Sequence, residues 1–344
     1  MNTCPPAYTL SAKGGSHMAE VSKDKLLKMY RTMQTIRHFE ERLRDMFKEG
    51  KVPGFVHVSI GEEASATGVC AALTDTDYIT STHRGHGHLL AKGGKLKPMM
   101  AELFGRKTGY CKGKGGSMHI ADFSIGILGA NGIVGAGLPI ATGAGLAAKM
   151  KKSGQVAVCF FGDGASNEGT FHESLNIASS WKLPVVYVCE NNLYGEFTAG
   201  KDVTSVKDIA DRARGHDMPG IIINGNDVVE VYETTSEAVA RARRGEGPTL
   251  IECKTYRWEG HVVGEEAFLG KKAYRPQDEI AEWKKRCPLV SFENRYTANG
   301  MFTKAELDAI KVDVKREIDE AVQFAIDSPL PAPEEAMEDM FSAA

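Results

Sequence analysis

Two short polar motifs, each directly after a buried strand, constrain the fold of this 344-residue chain more than any other feature. One apolar run, at 155–161, predicts a strand that ends in Gly-Asp-Gly at 162–164, and a second run, at 184–190, ends in Asn-Asn at 191–192. The residues between the two motifs leave room for a helix, predicted at 167–180. A strand–helix–strand unit places both motifs at the carboxyl ends of neighbouring parallel strands, where open α/β sheets bind ligands.

Further strands and helices alternate along the rest of the chain. Strands are predicted near 77–81, 221–223 and 249–255. Helices are predicted at 22–49, 60–73, 95–104, 136–149 and 227–244, with a last helix that opens on the capping-box sequence at 303–306. This order predicts an α/β fold, a doubly wound and mostly parallel sheet with helical extensions at the N and C termini.

No internal repeat or linker divides the chain, so we expect one α/β domain at 19–330. Residues 1–18 are expected to be a disordered tail or a cloning remnant, because they include Gly-Ser-His-Met at 15–18. An acidic, proline-rich tail at 331–344 is expected to be loosely ordered.

Charge and composition exclude several classes of function. With 42 basic and 45 acidic side chains and a formal charge of −3, the chain has no electrostatic footprint for nucleic acid or for a membrane surface. No apolar run reaches the roughly 18 residues that a transmembrane helix needs. The seven cysteines are odd in number and form no Cys-x-x-Cys motif, which predicts reduced thiols and a cytoplasmic location.

The two motifs carry side chains suited to a metal ion and a phosphate group. The Asp163 carboxylate and the Asn192 amide oxygen are hard ligands of the kind that Mg²⁺ prefers. Gly162 and Gly164 let a diphosphate lie against bare backbone, and the helix expected after Ala165 points free N–H groups at an anion.

Each motif taken alone is also a common turn signal, so the prediction depends on the pair and its spacing. A dinucleotide-binding fingerprint is the competing interpretation, and it is not met because Asn167 stands where the third glycine belongs.

The paired motif resembles the thiamine diphosphate signature, and the resemblance extends over residues 20–330. Over this length the chain is similar to the alpha subunit of the first component of 2-oxo acid dehydrogenase complexes. The matching stretches are GFVHVSIGEEA (54–64), STHRGHGHLLAKG (81–93), GKGGSMHIAD (113–122), LGANGIVGAG (128–137), GDGASNEGTFHESLNIASSWKLPVVYVCENNLYG (162–195) and TYRWEGH (255–261). Within the family, the second and third stretches are most similar to acetoin dehydrogenase, because pyruvate dehydrogenases usually carry tyrosine in place of His83.

The resemblance implies the diphosphate-binding half of the thiamine diphosphate-binding fold, and it implies roles for individual residues. Mg²⁺ would be coordinated by Asp163, Asn192 and the backbone carbonyl of Tyr194. The backbone of Gly162, Gly164 and Ala165, together with Arg84 and His83, would hold the diphosphate, and the segment of Gly132 and Val134 would meet the aminopyrimidine.

Histidines are concentrated in one part of the chain, with five of the ten between 57 and 119. The family resemblance places His57 and His261 at the mouth of the active site, where they would assist proton transfer, and we add His86 to this catalytic group. Solvated histidines, or a metal site formed by His83, His86 and His88, are the alternatives.

Thiamine catalysis also needs a glutamate that this chain does not supply within the family pattern. The resemblance implies that a beta subunit supplies it in a two-plus-two heterotetramer, and that the lipoyl group of an acyltransferase component takes the product. The small-residue segment at 129–145 fits such an interface, although a closely packed internal helix explains it equally well. The implied substrate is acetoin, with pyruvate or another 2-oxo acid as the alternative.

The segment 260–275, read as GHVVGEEAFLGKKAYR, departs from both the acetoin and the pyruvate patterns. Val262 stands where mitochondrial pyruvate dehydrogenases carry serine, so we expect that this segment is not a phosphorylation switch. A non-catalytic regulatory subunit and a nicotinamide-dependent dehydrogenase are rival interpretations. The retained site residues argue against the first, and the missing dinucleotide fingerprint argues against the second.

Overall fold

The structure, a computed structural model, describes residues 21–270 and 273–339. Its strands are β1 (Tyr78–Thr80), β2 (Ala157–Gly162), β3 (Val185–Asn191), β4 (Tyr194–Gly195), β5 (Thr198–Ala199), β6 (Gly220–Asn224) and β7 (Thr249–Lys254). Five of them form one parallel sheet in the order β1-β2-β3-β7-β6, and β4 pairs with β5 in a small antiparallel hairpin.

Helices precede, separate and follow the strands. The α-helices are α1 (Lys23–Lys48), α2 (Glu63–Ala71), α3 (His86–Ala91), α4 (Leu96–Leu103), α5 (Gly137–Lys151), α6 (Gly169–Ser180), α7 (Gly200–Val203), α8 (Val228–Arg243), α9 (Glu266–Leu269), α10 (Gln277–Lys284), α11 (Pro288–Ala298) and α12 (Lys304–Asp327). Shorter 3₁₀ turns lie at Phe123–Ile125, Gly164–Asn167, Ile209–His216 and Pro333–Met337.

Both faces of the central sheet are covered, because successive side chains of a strand point to opposite faces. On β2, Val158 and Phe160 enter a core shared with α1, α2, α8 and α12. Cys159 and Phe161 enter a second core, on the other face, shared with α5 and α6. The prediction of a doubly wound parallel sheet is therefore confirmed.

The terminal extensions are helices fixed by caps and by packing on the domain. The side chain of Ser22 accepts a hydrogen bond from the backbone of Lys25 at the start of α1. At the start of α12, Thr303 and Glu306 form the predicted capping box, with each side chain bonded to the other residue's backbone N–H. The helices α1 and α12 pack against each other, so the two ends of the domain meet.

Several short elements were not predicted from the sequence, among them α3, α7, the β4–β5 hairpin and the helices α9 to α11. Part of the acidic tail, predicted to be loosely ordered, forms a largely exposed 3₁₀ turn in which Glu335 pairs with Lys107. The prediction for residues 1–18, and that for 340–344, lie outside the described residues, and the single-domain division stays a prediction.

None of the helices between residues 21 and 339 that the structure describes is both long and apolar enough to span a bilayer. The six described cysteines are all free, and five of them are buried. Burial raises the pKa of the Cys159 thiol to about 12, so this thiol stays protonated. The prediction for Cys4 lies outside the described residues.

Candidate active site

A cavity of about 390 Å³ lies at the carboxyl ends of β2 and β3. Its walls are formed by segments as far as 204 positions apart in the chain, the first at residue 57 and the last at residue 261. All but one of the predicted site residues line it: His57, His83, Arg84, Gly132, Val134, Gly162, Asp163, Gly164, Ala165, Asn192, Tyr194 and His261. The exception is His86.

Asp163 is a buried carboxylate directly after β2. Its side chain lines the cavity, and its Oδ2 atom finds no hydrogen-bond partner among the described residues. Burial raises the pKa of Asp163 to about 6, because the ionised carboxylate has lost most of its hydration. Buried carboxylates are hydrogen-bonded, paired with a cation or bound to a metal ion, so this oxygen is a candidate ligand atom.

Asn192 follows β3 and is held in one orientation by a buried partner. Its Nδ2 donates a hydrogen bond to Oε1 of Glu62 at 2.9 Å. The amide oxygen therefore faces the opposite way, where its only described contact is a long one of 3.4 Å from the backbone N–H of Tyr194. The oxygen remains available to a ligand in the cavity.

The Gly-Asp-Gly motif leaves open space beside the backbone. A Cβ added at Gly162 would meet nothing within 4 Å, and one added at Gly164 would meet only the Cα of Gly195 at 3.2 Å. The helix predicted to start near Asn167 begins instead at Gly169, after a 3₁₀ turn. The chain makes this turn because Ser166 closes on Asp163 through both its backbone N–H and its hydroxyl.

Arg84 is a buried guanidinium anchored by main-chain groups. Its Nη1 donates to the carbonyl of Val58 at 2.7 Å and its Nη2 to the carbonyl of His261 at 3.0 Å. Its Nε lies 3.7 Å from Oε2 of Glu62. The positive charge is thereby fixed at the wall of the cavity, beside a carboxylate that does not hydrogen-bond to it.

Three imidazole rings, from His57, His83 and His261, meet at the same wall. Their ring centroids are 4.7 Å, 5.0 Å and 5.2 Å apart. Burial, reinforced by the charge of Arg84, lowers the pKa of His83 to about 3 and that of His261 to about 2, and it lowers the pKa of His57 further still. All three rings are therefore neutral at physiological pH.

His86 lies behind the cavity, on the first turn of α3. It is fully buried, and its Nδ1 and Nε2 each lie 3.0 Å from a partner, Glu40 Oε2 and Ser117 Oγ respectively. Both ring nitrogens are thus engaged in the protein interior. The structure does not bring His86 together with the other predicted residues.

The structure adds buried charged residues that the sequence analysis did not single out. Burial raises the pKa of Glu62 to about 7, although Arg84 opposes this shift. Glu190 lines the cavity, and burial alone would raise its pKa, but His88 and Ser65 together hold it below its usual value. Arg257 is fully buried, with two of its guanidinium nitrogens unpartnered among the described residues.

Glu62 lies within the stretch 54–64 and Arg257 within the stretch 255–261, both quoted above for the family resemblance. This position is the signal by which the sequence could have identified them. Nothing else in the local sequence marks either of them as buried, because charged residues are ordinarily exposed.

A parallel α/β sheet with a carboxylate and an amide at the ends of two neighbouring strands, and a fixed arginine beside them, defines a class of proteins that bind a phosphorylated cofactor. The family described as dehydrogenase E1 component matches residues 31–334. The chain belongs to this family, as the sequence resemblance predicted, and the family implies thiamine diphosphate as cofactor.

Relatives with curated names agree with this assignment. The chain is 49% identical over 322 residues, 93% of its length and 95% of the relative's, to the alpha subunit of acetoin:2,6-dichlorophenolindophenol oxidoreductase of Bacillus subtilis. The alpha subunit of the same name in Cupriavidus necator is 47% identical over 335 residues, 97% of this chain and 99% of that one. The chloroplastic pyruvate dehydrogenase E1 component subunit alpha-3 of Oryza sativa is 39% identical over 346 residues, 98% of this chain and 80% of that one.

Proposed function

We propose that this chain is the alpha subunit of a dehydrogenase that uses thiamine diphosphate and Mg²⁺ to cleave acetoin and passes the two-carbon unit to the lipoyl group of an acyltransferase component. Two relatives that share nearly half of its residues carry acetoin in their names. The observation that carries the proposal is the buried Oδ2 of Asp163, a residue that lines the cavity beside Gly164, because this oxygen has no hydrogen-bond partner among the described residues.

The metal site follows from the chemistry of the oxygen donors. Asp163, the amide oxygen of Asn192 and the backbone carbonyl of Tyr194 would hold Mg²⁺, which prefers oxygen ligands and takes its remaining ligands from phosphate and water. An incoming dication would also stabilise the ionised form of Asp163, whose pKa is raised by burial in its absence.

The diphosphate would lie against the backbone of Gly162, Gly164 and Ala165, with Arg84 and His83, which line the same cavity, as side-chain contacts. A guanidinium already fixed by two main-chain carbonyls loses little freedom on binding a phosphate oxygen. When bound, thiamine diphosphate supplies an electron sink for carbon–carbon cleavage.

The segment of Gly132 and Val134 forms another part of the cavity wall and would meet the aminopyrimidine ring. His57 and His261 are neutral imidazoles at the same cavity, so each ring can donate a hydrogen bond to the reacting oxygen from one nitrogen and accept one at the other. His86 does not line the cavity, and we assign it no direct part in the reaction.

We propose that a beta subunit completes the site in a two-plus-two heterotetramer and supplies the glutamate that contacts the pyrimidine. Apolar side chains are exposed beside the cavity and on α5, with Ile133 at 73% exposure and Ile140 at 43%. The outer face of α5 also carries the small residues Gly143 and Ala147, both exposed. Such a face suits close packing of a second subunit.

Pyruvate is the second candidate substrate, because a pyruvate dehydrogenase alpha subunit is also similar over nearly the whole chain. We further propose a cytoplasmic location, supported by six described cysteines that form no disulfide.

The test is an activity assay on the chain purified together with its partner subunit. With Mg²⁺ and thiamine diphosphate added, reduction of an artificial electron acceptor is followed with acetoin, pyruvate or a branched 2-oxo acid. We expect the fastest turnover with acetoin. We also expect Asp163→Ala to abolish cofactor binding, and Asp211→Ala, at an exposed aspartate outside the cavity, to preserve it. Preference for pyruvate would overturn the substrate assignment, and normal cofactor binding by Asp163→Ala would overturn the site.

A further inference from the structure

The three imidazoles of His57, His83 and His261 are arranged as a metal site. One nitrogen from each ring can be chosen so that all three atoms lie within 4.8 Å of one another. In a tetrahedral zinc site, with Zn–N bonds of about 2.0 Å to 2.1 Å, the nitrogens lie about 3.4 Å apart. Rotations of the side chains that draw the nitrogens together by at most about 1.4 Å would therefore suffice.

None of the three imidazole side chains makes a hydrogen bond with any other described residue. The Nδ1 atom of His57 is buried without a partner, and only 6% of this residue is exposed. All three residues line the cavity. Buried imidazole nitrogens without partners are uncommon, because each lost hydrogen bond to water costs about 1 to 3 kcal/mol. Here one ion would satisfy the buried nitrogen of His57 together with one nitrogen of each partly buried ring.

We infer that this cluster, named here the histidine triad, binds a divalent transition-metal ion of the Zn²⁺ class, and that this ion and the cofactor exclude each other because both would need His83. Nitrogen ligands without a carboxylate favour Zn²⁺, Co²⁺ or Cu²⁺ over Mg²⁺. The triad is thus chemically distinct from the oxygen site at Asp163 and Asn192. The metal-binding claim stands on the triad alone, whereas the exclusion rests on the proposed function.

The charges around the triad include some that oppose and some that favour the binding of a cation. Arg84 and Arg257 repel a cation, and both lower the pKa of His83 and His261 for the same reason. The Oε2 atom of Glu62, 3.7 Å from the Arg84 Nε and without a hydrogen bond, partly offsets them. The fourth metal position would be taken by water, as in other zinc sites with three histidine ligands.

Cobalt provides a direct probe of this site, because Co²⁺ bound in a tetrahedral nitrogen site absorbs visible light far more strongly than hydrated Co²⁺. The full chain, with any subunit that purifies with it, is stripped of metal and cofactor and titrated with Co²⁺. We expect one Co²⁺ per chain with a tetrahedral spectrum, and displacement of that ion by Zn²⁺.

Each single replacement, His83→Phe or His57→Gln, is expected to weaken Co²⁺ binding at least about tenfold, since it removes a metal ligand. The control is His172→Gln, because the exposed His172 and the partly buried His216, with ring nitrogens 3.3 Å apart, form the competing two-histidine site. Circular dichroism and the melting temperature establish that each variant is folded, and His261→Gln replaces any variant that is not. Unchanged binding in the triad variants, or loss of binding in His172→Gln, would overturn the inference.

Calorimetry with thiamine diphosphate and Mg²⁺ separates this inference from the proposed function. We expect the cofactor to displace Co²⁺ and to abolish its tetrahedral spectrum. Cofactor binding without any Co²⁺ site would refute the metal inference and leave the proposed function standing. A Co²⁺ site without cofactor binding would refute the proposed function and leave the metal inference standing. Simultaneous binding of Co²⁺ and the cofactor would refute the exclusion.

Discussion

Asp163 should be the residue at which function and stability oppose each other most directly. Burial raises its pKa from 3.8 to about 6, a difference of about two pKa units. At about 1.4 kcal/mol per unit, the ionised carboxylate destabilises the cofactor-free protein by at most about 3 kcal/mol. Water entering the cavity reduces this figure, so it is an upper limit. The substitution Asp163→Asn keeps the shape of the side chain and removes the charge.

The pH dependence follows from the sign of this shift. Because the folded protein binds the proton more tightly, the destabilisation is fully present above the folded pKa, near 6, and it disappears below the unfolded value, near 3.8. We therefore expect Asp163→Asn to raise the melting temperature of the cofactor-free protein by a few degrees at pH 8. The gain should shrink to about half at pH 5.

The assay compares thermal unfolding of the wild type, Asp163→Asn and the surface control Asp211→Asn at both pH values, without cofactor and then with thiamine diphosphate and Mg²⁺. In the wild type the ligands should raise the melting temperature, as any ligand specific for the folded state does. They should not do so in Asp163→Asn. A cofactor-free Asp163→Asn protein that melts below the wild type at pH 8 would refute the electrostatic reasoning, and one stabilised normally by the cofactor would refute the metal role.

Three further predictions concern residues outside the cavity. Arg37→Met should cost about 3 to 5 kcal/mol in urea unfolding, because it leaves the buried Glu63 carboxylate without its 2.6 Å partner; a cost below 1 kcal/mol would contradict this. His86→Leu should cost about 1 to 3 kcal/mol by orphaning a buried oxygen of Glu40. It should leave cofactor affinity by calorimetry unchanged, and a large loss of affinity would restore His86 to the active site. Thr303→Ala should cost about 1 kcal/mol through loss of the α12 cap, an effect that Thr303→Ser should mostly avoid.

The central strands were predictable because burial on both faces of a strand produces a continuous apolar run in the sequence. The runs at 155–161 and 184–190 match β2 and β3 to within two residues at either end, since a strand covered on both faces is apolar at nearly every position. The polar motifs that end them had to fall at the sheet edge. The positions of Asp163 and Asn192 therefore followed from the chain pattern alone.

The position of His86 was not predictable in the same way. In sequence it stands three residues after His83, within one histidine-rich run. The helix α3 is only six residues long and begins at His86, and its two histidines and glycine give no apolar periodicity to detect. That helical turn directs His86 into the interior toward Glu40 on α1, while His83 remains at the cavity.

The buried charged residues could not be recognised as such from the sequence, for a different reason. Glu62 contacts Asn192 across 130 positions, and a charged residue in a sequence is assigned to the surface unless its partner is known. The meeting of His57, His83 and His261 likewise depends on tertiary structure, because no local spacing relates residues that come from three separate segments. Family resemblance placed His57 and His261 at one site mouth and His83 at the diphosphate, and the fold adds that all three rings are neighbours.

The unusual segment after Gly260 is joined to the cavity through Arg84. That guanidinium binds the carbonyl of His261, and the N–H of His261 in turn donates to Oε2 of Glu265 at 2.5 Å. Val262 is buried, and the next residue bonds through its N–H to the carbonyl of Val56, beside His57. A change of sequence in this segment therefore acts on the position of Arg84, the proposed diphosphate contact, and of His57 and His261 together. For this reason the choice between acetoin and pyruvate should depend on residues 262–265 rather than on the cofactor motifs, which suit either substrate.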